Sequence, residues 1–256
     1  MRFGCCVSAE LMEAAADVGY DFAELPVAVL CPEKPESEFL PVQQRLHAAG
    51  IKPEVWNLDL PIELNICGPS VDWPRVARYV TTALRRAAAV GGSVVAFPCG
   101  ACSKIPKSFK RADALAQLTD FLRVCGTLAR KHALIVGVEP LSAECSDLIN
   151  SVPQAMDLAR RTDMPEVGVL PNCFHMAIEA HSFLDVVDAA AWLAHVHIAA
   201  ADLDPEPVGR GTAREFLEAL RMAEYDGRIA VQGDWTVPHE DMGRALESLR
   251  RCCHQT

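Results

Sequence analysis

Eight times along the chain, a short run of apolar, β-favouring residues gives way to a stretch with helical period. The runs are "RFGCCV" (2–7), "FAELPV" (22–27), "KPEVWNL" (52–58), "SVVAFPC" (93–99), "LIVGVEP" (134–140), "EVGVLPN" (166–172), "LAHVHIA" (193–199) and "RIAVQGD" (228–234). Most are continuously apolar, as strands covered on both faces must be. Helix-start signals fill the gaps. Asp72 stands two residues before Pro74, Ser151 has Gln154 three residues on, and Thr212 has Glu215 in the same relation. Eight strand–helix pairs in 256 residues predict an α/β fold, a single closed (β/α)8 barrel over 1–256. An open doubly wound sheet is the alternative, but the glycine-rich phosphate turn it needs after its first strand is missing.

Charge narrows the partners. Lys and Arg total 24 against 34 Asp and Glu, a formal charge of -10. A surface of that sign repels nucleic-acid phosphates and acidic membranes. The densest basic stretch, "KIPKSFKR" (104–111), is short and reads as a helix entrance. No run has the length and apolarity of a membrane helix. The start, "MRFGCCVSAELMEA", lacks the apolar region and cleavage site of a signal peptide. The 11 cysteines, an odd number, are then expected as reduced thiols in the cytoplasm. "CGAC" at 99–102 has redox spacing without a thioredoxin-like setting, and small buried thiols fill tight spots well.

In a (β/α)8 barrel the chemistry gathers where strands end. The polar and aromatic groups at those ends are Glu24, Trp56, Asn57, Cys99, Glu139, Asn172, His175, His195, His197, Gln232 and Asp234. Glu139, closing the apolar run "LIVGVEP", is a carboxylate that burial would not tolerate without a partner or a role. His195 and His197 share a parity on their strand and point inward, with His195 deeper and supporting. Trp56, Trp235 and Phe174 offer apolar faces at these ends, either as plain packing or as a platform for a ligand's ring. Cys67, Cys99, Cys145 and Cys173 fall in or near strand ends, where packing of tight spots is the expected role and a thiolate site favouring zinc is the alternative.

Taken in order, "VEPLSAECSDLINS" (138–151), "LPNCFHM" (170–176), "HVHIA" (195–199) and "VQGDW" (231–235) put a hydrogen-bonding or metal-capable group at the same end of successive strands. Here the chain resembles the sugar phosphate isomerase/epimerase family, barrels related to xylose isomerase, tagatose epimerase and endonuclease IV. The likeness also covers "VDWPRVARYVTTALRRAAAVGGSVVAFPCG" and "HVHIAAADLDPEPVGRG". It implies a divalent metal (Mn, Mg, Co or Zn) on Glu139, Asn172, His197 and Gln232. It also implies catalytic groups at Glu139 and Gln232 and a substrate-binding histidine at His175. Trp56, Asn57 and Trp235 are expected to line the substrate.

The chain departs from the family's pattern at chemically sensitive places. That pattern has Glu, Asp, His and Glu at the four ligand positions, whereas this chain has Asn172 and Gln232 at the second and fourth. Two negative charges are lost, which weakens hold on a hard cation, and Gln232 cannot carry a proton as a base must. The family's asparagine–arginine pair falls on Asp202 and Leu203, and an arginine and a glutamate become Ala143 and Cys145.

The expectation is an isomerase or epimerase of a small sugar, sugar phosphate or keto acid. The alternative is a degenerate relative that binds sugar without a tight metal. An endonuclease ranks behind both, because the chain lacks a basic groove and a full zinc set. No nucleic-acid or membrane partner is expected, and a homo-oligomer is compatible with this reading.

Overall fold

The strands form where the apolar runs predict them. A computed structural model describes residues 1–203 and 212–255; the tail of "HVHIAAADLDPEPVGRG" beyond Leu203 therefore lies outside the described residues. The strands are β1 (Arg2–Cys6), β2 (Phe22–Pro26), β3 (Pro53–Asn57), β4 (Val94–Pro98), β5 (Ile135–Glu139), β6 (Val167–Val169), β7 (Val196–Ala199) and β8 (Arg228–Gln232). All pair in parallel, in the order β6-β5-β4-β3-β2-β1-β8-β7.

The main helices between them are α1 (Met12–Val18), α2 (Glu36–Ala48), α3 (Trp73–Ala89), α4 (Arg111–His132), α5 (Val152–Thr162), α6 (Cys173–Ile178), α7 (Leu184–Asp188), α8 (Thr212–Met222) and α9 (Pro238–Gln255). Two of the expected caps are made by side chains: Asp72 Oδ1 accepts from Arg75 N at 3.0 Å, and Ser151 Oγ from Gln154 N at 3.4 Å. Gln154 Oε1 accepts from Asn150 N instead of the Ser151 amide, so the reciprocal arm of that cap lands one residue early. Among the described residues no helix is long and apolar enough to cross a membrane.

The ring closes between β6 and β7, where no continuous ladder forms. Two isolated parallel bridges span the gap, Val169 to Leu193 and Asn172 to His197. Ala194 N donates to Val169 O at 2.9 Å and His197 N to Pro171 O at 3.0 Å. Pro171 has no N–H to return, which explains why this seam is stitched at points and why both strands are shorter than predicted. The last stitch joins two of the candidate site residues, so closing the barrel and assembling the site are one event.

Two apolar clusters follow from strand alternation. Outward residues and the helices that cover them form the large core, which includes Leu25, Trp56, Val95, Val136, Val169 and Ile198. The barrel interior holds a small one: Phe22, Val55, Val94, Ala96, Leu170 and Ala230, with Cys6 against it. Inside a ring this narrow, small residues let neighbouring elements come close. A Cβ on Gly168 would lie 2.4 Å from the Trp192 carbonyl oxygen, and a Cβ on Gly4 would lie 2.1 Å from the Phe22 ring.

Gly168→Ala is therefore expected to lower unfolding stability by about 1–3 kcal/mol, since the obstructing atom is backbone at the seam. Denaturant titration against wild type checks this. An unchanged midpoint would mean the seam is looser than described.

Candidate functional site

Interior parity carries a polar layer up to the mouth. Counting inward positions from the apolar plug gives Cys6 on β1, Glu24 on β2, Asn57 on β3 and Glu139 on β5. Asn172 lies just beyond β6, His195 just before β7, His197 within β7 and Gln232 at the end of β8. Glu24, Glu139, Asn172, His195 and His197 are buried. A buried charge survives only if it is paired, and these are.

His197 is the hub. Its Nδ1 is 2.8 Å from Glu139 Oε1, and its Nε2 is 3.0 Å from both oxygens of Glu24. Burial by itself would favour the neutral ring. The two flanking carboxylates outweigh it and push the His197 pKa up to about 10. Conversely, burial would raise both carboxyls, but His197 holds Glu24 and Glu139 below the ordinary glutamate value. His195, lowered by burial, is 3.0 Å from Glu24 Oε2 through Nε2, while its Nδ1 is buried without a partner among the described residues. That geometry puts the His195 proton on Nε2, donated to Glu24.

The four positions implied as metal ligands do converge, but they bond to one another. Asn172 Nδ2 donates to Glu139 Oε1 at 2.7 Å and to Gln232 Oε1 at 3.0 Å. Its Oδ1 accepts from Phe174 N at 3.0 Å as the cap of α6. The backbone N–H of Phe174 fixes which way the Asn172 amide faces, so the group turned inward is NH2. Gln232 Nε2 lies 3.1 Å from His197 Nδ1. Both amide oxygens are thus engaged as acceptors, and one carboxylate supplies the only negative charge. This donor set does not fit a divalent ion of the kind the resemblance implies.

The remaining candidates divide. His175, half-buried on α6, accepts from Ser142 N at Nδ1, 3.1 Å away, and burial keeps its ring neutral. The ring proton then sits on Nε2. Asn57 Oδ1 is buried without a partner among the described residues. Trp235 is half-buried, and its Nε1 donates to Cys6 O at 2.8 Å. Phe174 is exposed and meets the His175 ring edge-on at 5.5 Å.

One expectation needs correction. Trp56 does not line the mouth: it is fully buried in the outer layer, with its indole against the Gly92 position. Adjacent residues on a strand point to opposite faces, so Trp56 and Asn57 cannot share one pocket. The thiols named at the strand ends do not form one cluster: Cys99 lies near Cys67 and Glu139, Cys67, Cys99 and Cys173 are buried as packing thiols are, Cys145 is exposed, and the cysteine grouped with Glu24 and His197 is Cys6. Burial raises the Cys99 and Cys102 thiols, Cys102 to about 12, which makes "CGAC" a poor redox pair. Asp202 and Leu203 do other work: Asp202 Oδ2 accepts from Ala199 N at 3.1 Å, and Leu203 is core.

Cys6 was missed and Glu24 was undervalued. The signal was parity combined with register, since Cys6 pairs directly with Glu24 across β1 and β2.

In metal-free protein, nitrogen-15 NMR of histidine should find His197 still doubly protonated at pH 8. Its charge pairing stabilises the fold fully below the unfolded value of about 6.5. That contribution is lost as pH rises through about 10. A neutral His197 at pH 7 would refute this electrostatic account.

The comparisons with known proteins agree on lineage. The model of the xylose isomerase-like TIM barrel family matches residues 12–252. Among curated proteins, 3-dehydro-D-guloside 4-epimerase of Escherichia coli (strain K12) is 30% identical over 142 residues, 53% of this chain and 53% of that protein. A probable ketose 3-epimerase of Synechocystis sp. is 27% identical over 103 residues, 40% of this chain and 36% of that protein. The chain thus spans about half or less of the length of these curated relatives. Among solved structures, D-psicose 3-epimerase of Clostridium cellulolyticum H10 with D-tagatose superposes with a TM-score of 0.84 at 19% identity, covering 99% of each chain. The 3-keto-D-glucoside 4-epimerase of E. coli gives 0.78 at 20% identity, covering 98% of this chain and 100% of that one. These structures share the fold, and the match over residues 12–252 settles membership: the chain belongs to the xylose isomerase-like TIM barrel family.

Proposed function

We propose that this chain is a sugar isomerase or epimerase, acting on a small sugar or keto acid by proton transfer at the carbon beside a carbonyl. The observation that carries this reading is Glu139. His197 and Asn172 occupy its Oε1, at 2.8 and 2.7 Å, while Oε2 has no hydrogen-bond partner among the described residues. His197 keeps the carboxyl ionised at neutral pH, as a general base must be. The names of the curated relatives, both epimerases of keto sugars, support the same class.

The surrounding groups suit the two oxygens of an enediolate. His175, with its proton on Nε2, offers a neutral N–H to the carbonyl oxygen on which negative charge develops. Asn57 Oδ1, a buried acceptor in want of a donor, takes a sugar hydroxyl. Glu139 removes the carbon-bound proton through Oε2, and the electron pair moves to the carbonyl oxygen. Gln232 cannot return a proton from the opposite face. A proton taken and given back by Glu139 on one face shifts it between neighbouring carbons, while the adjacent hydroxyl's proton passes to the former carbonyl oxygen, so aldose–ketose interconversion suits this site better than inversion. Inversion would need His175 as the second proton carrier.

One observation favours a second reading, sugar binding without turnover: Asn172 bonds directly to both Glu139 and Gln232 and closes the centre of the site. Incubation with a panel of ketoses and keto acids in deuterium oxide separates the two. The enzyme reading expects deuterium at the carbon next to the carbonyl, with the rate in Glu139→Gln reduced by at least about 10²-fold. Saturable sugar binding with no deuterium uptake would overturn it in favour of the binding protein.

A further inference from the structure

His197 has two ring nitrogens, and only Nδ1 serves the position treated so far. Nε2 points the other way, at Glu24, 3.0 Å from each carboxylate oxygen. Cys6 completes the group, because β1–β2 register sets it beside Glu24. One ligand atom each from Cys6, Glu24 and His197 lie within 4.8 Å of one another. We propose that this thiol, carboxylate and imidazole form a zinc site of the chain's own, across His197 from the position that the family resemblance implies.

The chemistry of the donors selects the ion. Thiolate, imidazole and carboxylate together suit a borderline-soft cation and three-ligand zinc sites in particular. Zinc–ligand lengths of about 2.0–2.3 Å at tetrahedral angles put nitrogen and oxygen ligands about 3.3 Å apart. The nitrogen–oxygen separations here are 3.0 Å, so the His197–Glu24 pair needs only a few tenths of an ångström to open around an ion, while the Cys6 sulfur, within 4.8 Å of both, turns in to meet it. Charge balances as well, because one thiolate and one carboxylate offset the two charges of zinc. At the implied position, by contrast, two amides turn an NH2 group inward and engage both their oxygens.

The supporting contacts are in place. His195, fully buried, donates Nε2–H to Glu24 Oε2 and orients that carboxylate. Trp235 Nε1 donates to the Cys6 carbonyl at 2.8 Å and fixes the strand end that carries the thiol. His197 Nδ1 lies 2.8 Å from Glu139 Oε1, so its other nitrogen would meet the ion in a carboxylate–histidine–metal arrangement, a common way of fixing a ligating ring. Binding replaces two protons, one from the Cys6 thiol and one from His197 Nε2, and both leave to solvent. Three protein ligands leave a fourth coordination position to a solvent or substrate atom, and Cys6 itself is only partly buried.

Chelator-stripped protein titrated with Zn²⁺ and Co²⁺ tests the site without any activity assay. The expected result is one ion per chain by mass spectrometry. With Co²⁺, a thiolate-to-metal charge-transfer band should appear in the near ultraviolet, with the strong visible bands of tetrahedral cobalt. Cys6→Ser removes the charge-transfer band and weakens zinc by more than about tenfold. Cys145→Ser, which alters an exposed thiol, changes neither. Glu24→Gln provides a second ligand variant that keeps the thiol and also weakens zinc; circular dichroism confirms that each variant is folded. Binding below one ion per chain, or a band and affinity that survive Cys6→Ser, would sink the proposal. The deuterium-exchange result stands or falls separately.

Discussion

An imidazole held between two carboxylates inside a closed sheet is the interaction on which this molecule turns. Glu24 and Glu139 approach His197 from opposite sides, and all three are buried. Moving any one of these charges alone from water to the interior would cost several kcal/mol. Their mutual attraction offsets that cost only while all three keep their places. The apolar plug beneath them, with Phe22 and Leu170, keeps water out and makes the pairing strong. The same residues hold the seam, because Asn172 and His197 are bridge partners where β6 meets β7. Stability and site geometry therefore cannot be adjusted independently here.

The fold was legible because its signal is repeated. Eight apolar runs each gave a strand within a few residues of its predicted bounds, and the side chains of Asp72 and Ser151 cap their helices, although the reciprocal arm from Gln154 shifts by one residue. Boundaries failed where the backbone could not complete a ladder. Pro171 offers no N–H, so β6 stops at Val169 in place of 172, and its neighbour β7 starts at Val196 in place of 193. Tertiary pairing decides such ends, and a single strand read in isolation does not contain it.

The site was less legible, for reasons that differ residue by residue. Glu139 and His197 stood out because charged or titratable groups ending apolar strands demand an explanation. Trp56 was misplaced by reading strand ends without strand parity; its neighbour Asn57 occupies the inward position. Cys6 sat unremarked in "RFGCCV" because a cysteine in an apolar run looks like packing. Only register, which sets it beside Glu24, gives it neighbours with chemistry. Asn172 is the subtlest case. Its residue type was read as a weakened ligand, whereas the structure uses its oxygen to cap α6 and its nitrogen to bridge Glu139 and Gln232. An amide can donate and accept at once, and a carboxylate in the same place could only accept.

That difference explains how the centre holds together. With carboxylates at 172 and 232, four acidic groups would face one imidazolium, and like charges at hydrogen-bond distance repel strongly in a buried setting. A cation at their common point would be needed to hold such a set together. The two amides remove that requirement, and the network closes through its own N–H groups. On the other face of His197, exchanging the Cys6 and Nε2 protons for one zinc ion leaves the total charge unchanged, because two single positive charges give way to one double charge. The barrel can therefore gain the ion or release it without shifting the net charge its interior must bear. The local arrangement changes at Cys6, Glu24 and His197, while Glu139 keeps its bond to Nδ1 in both states.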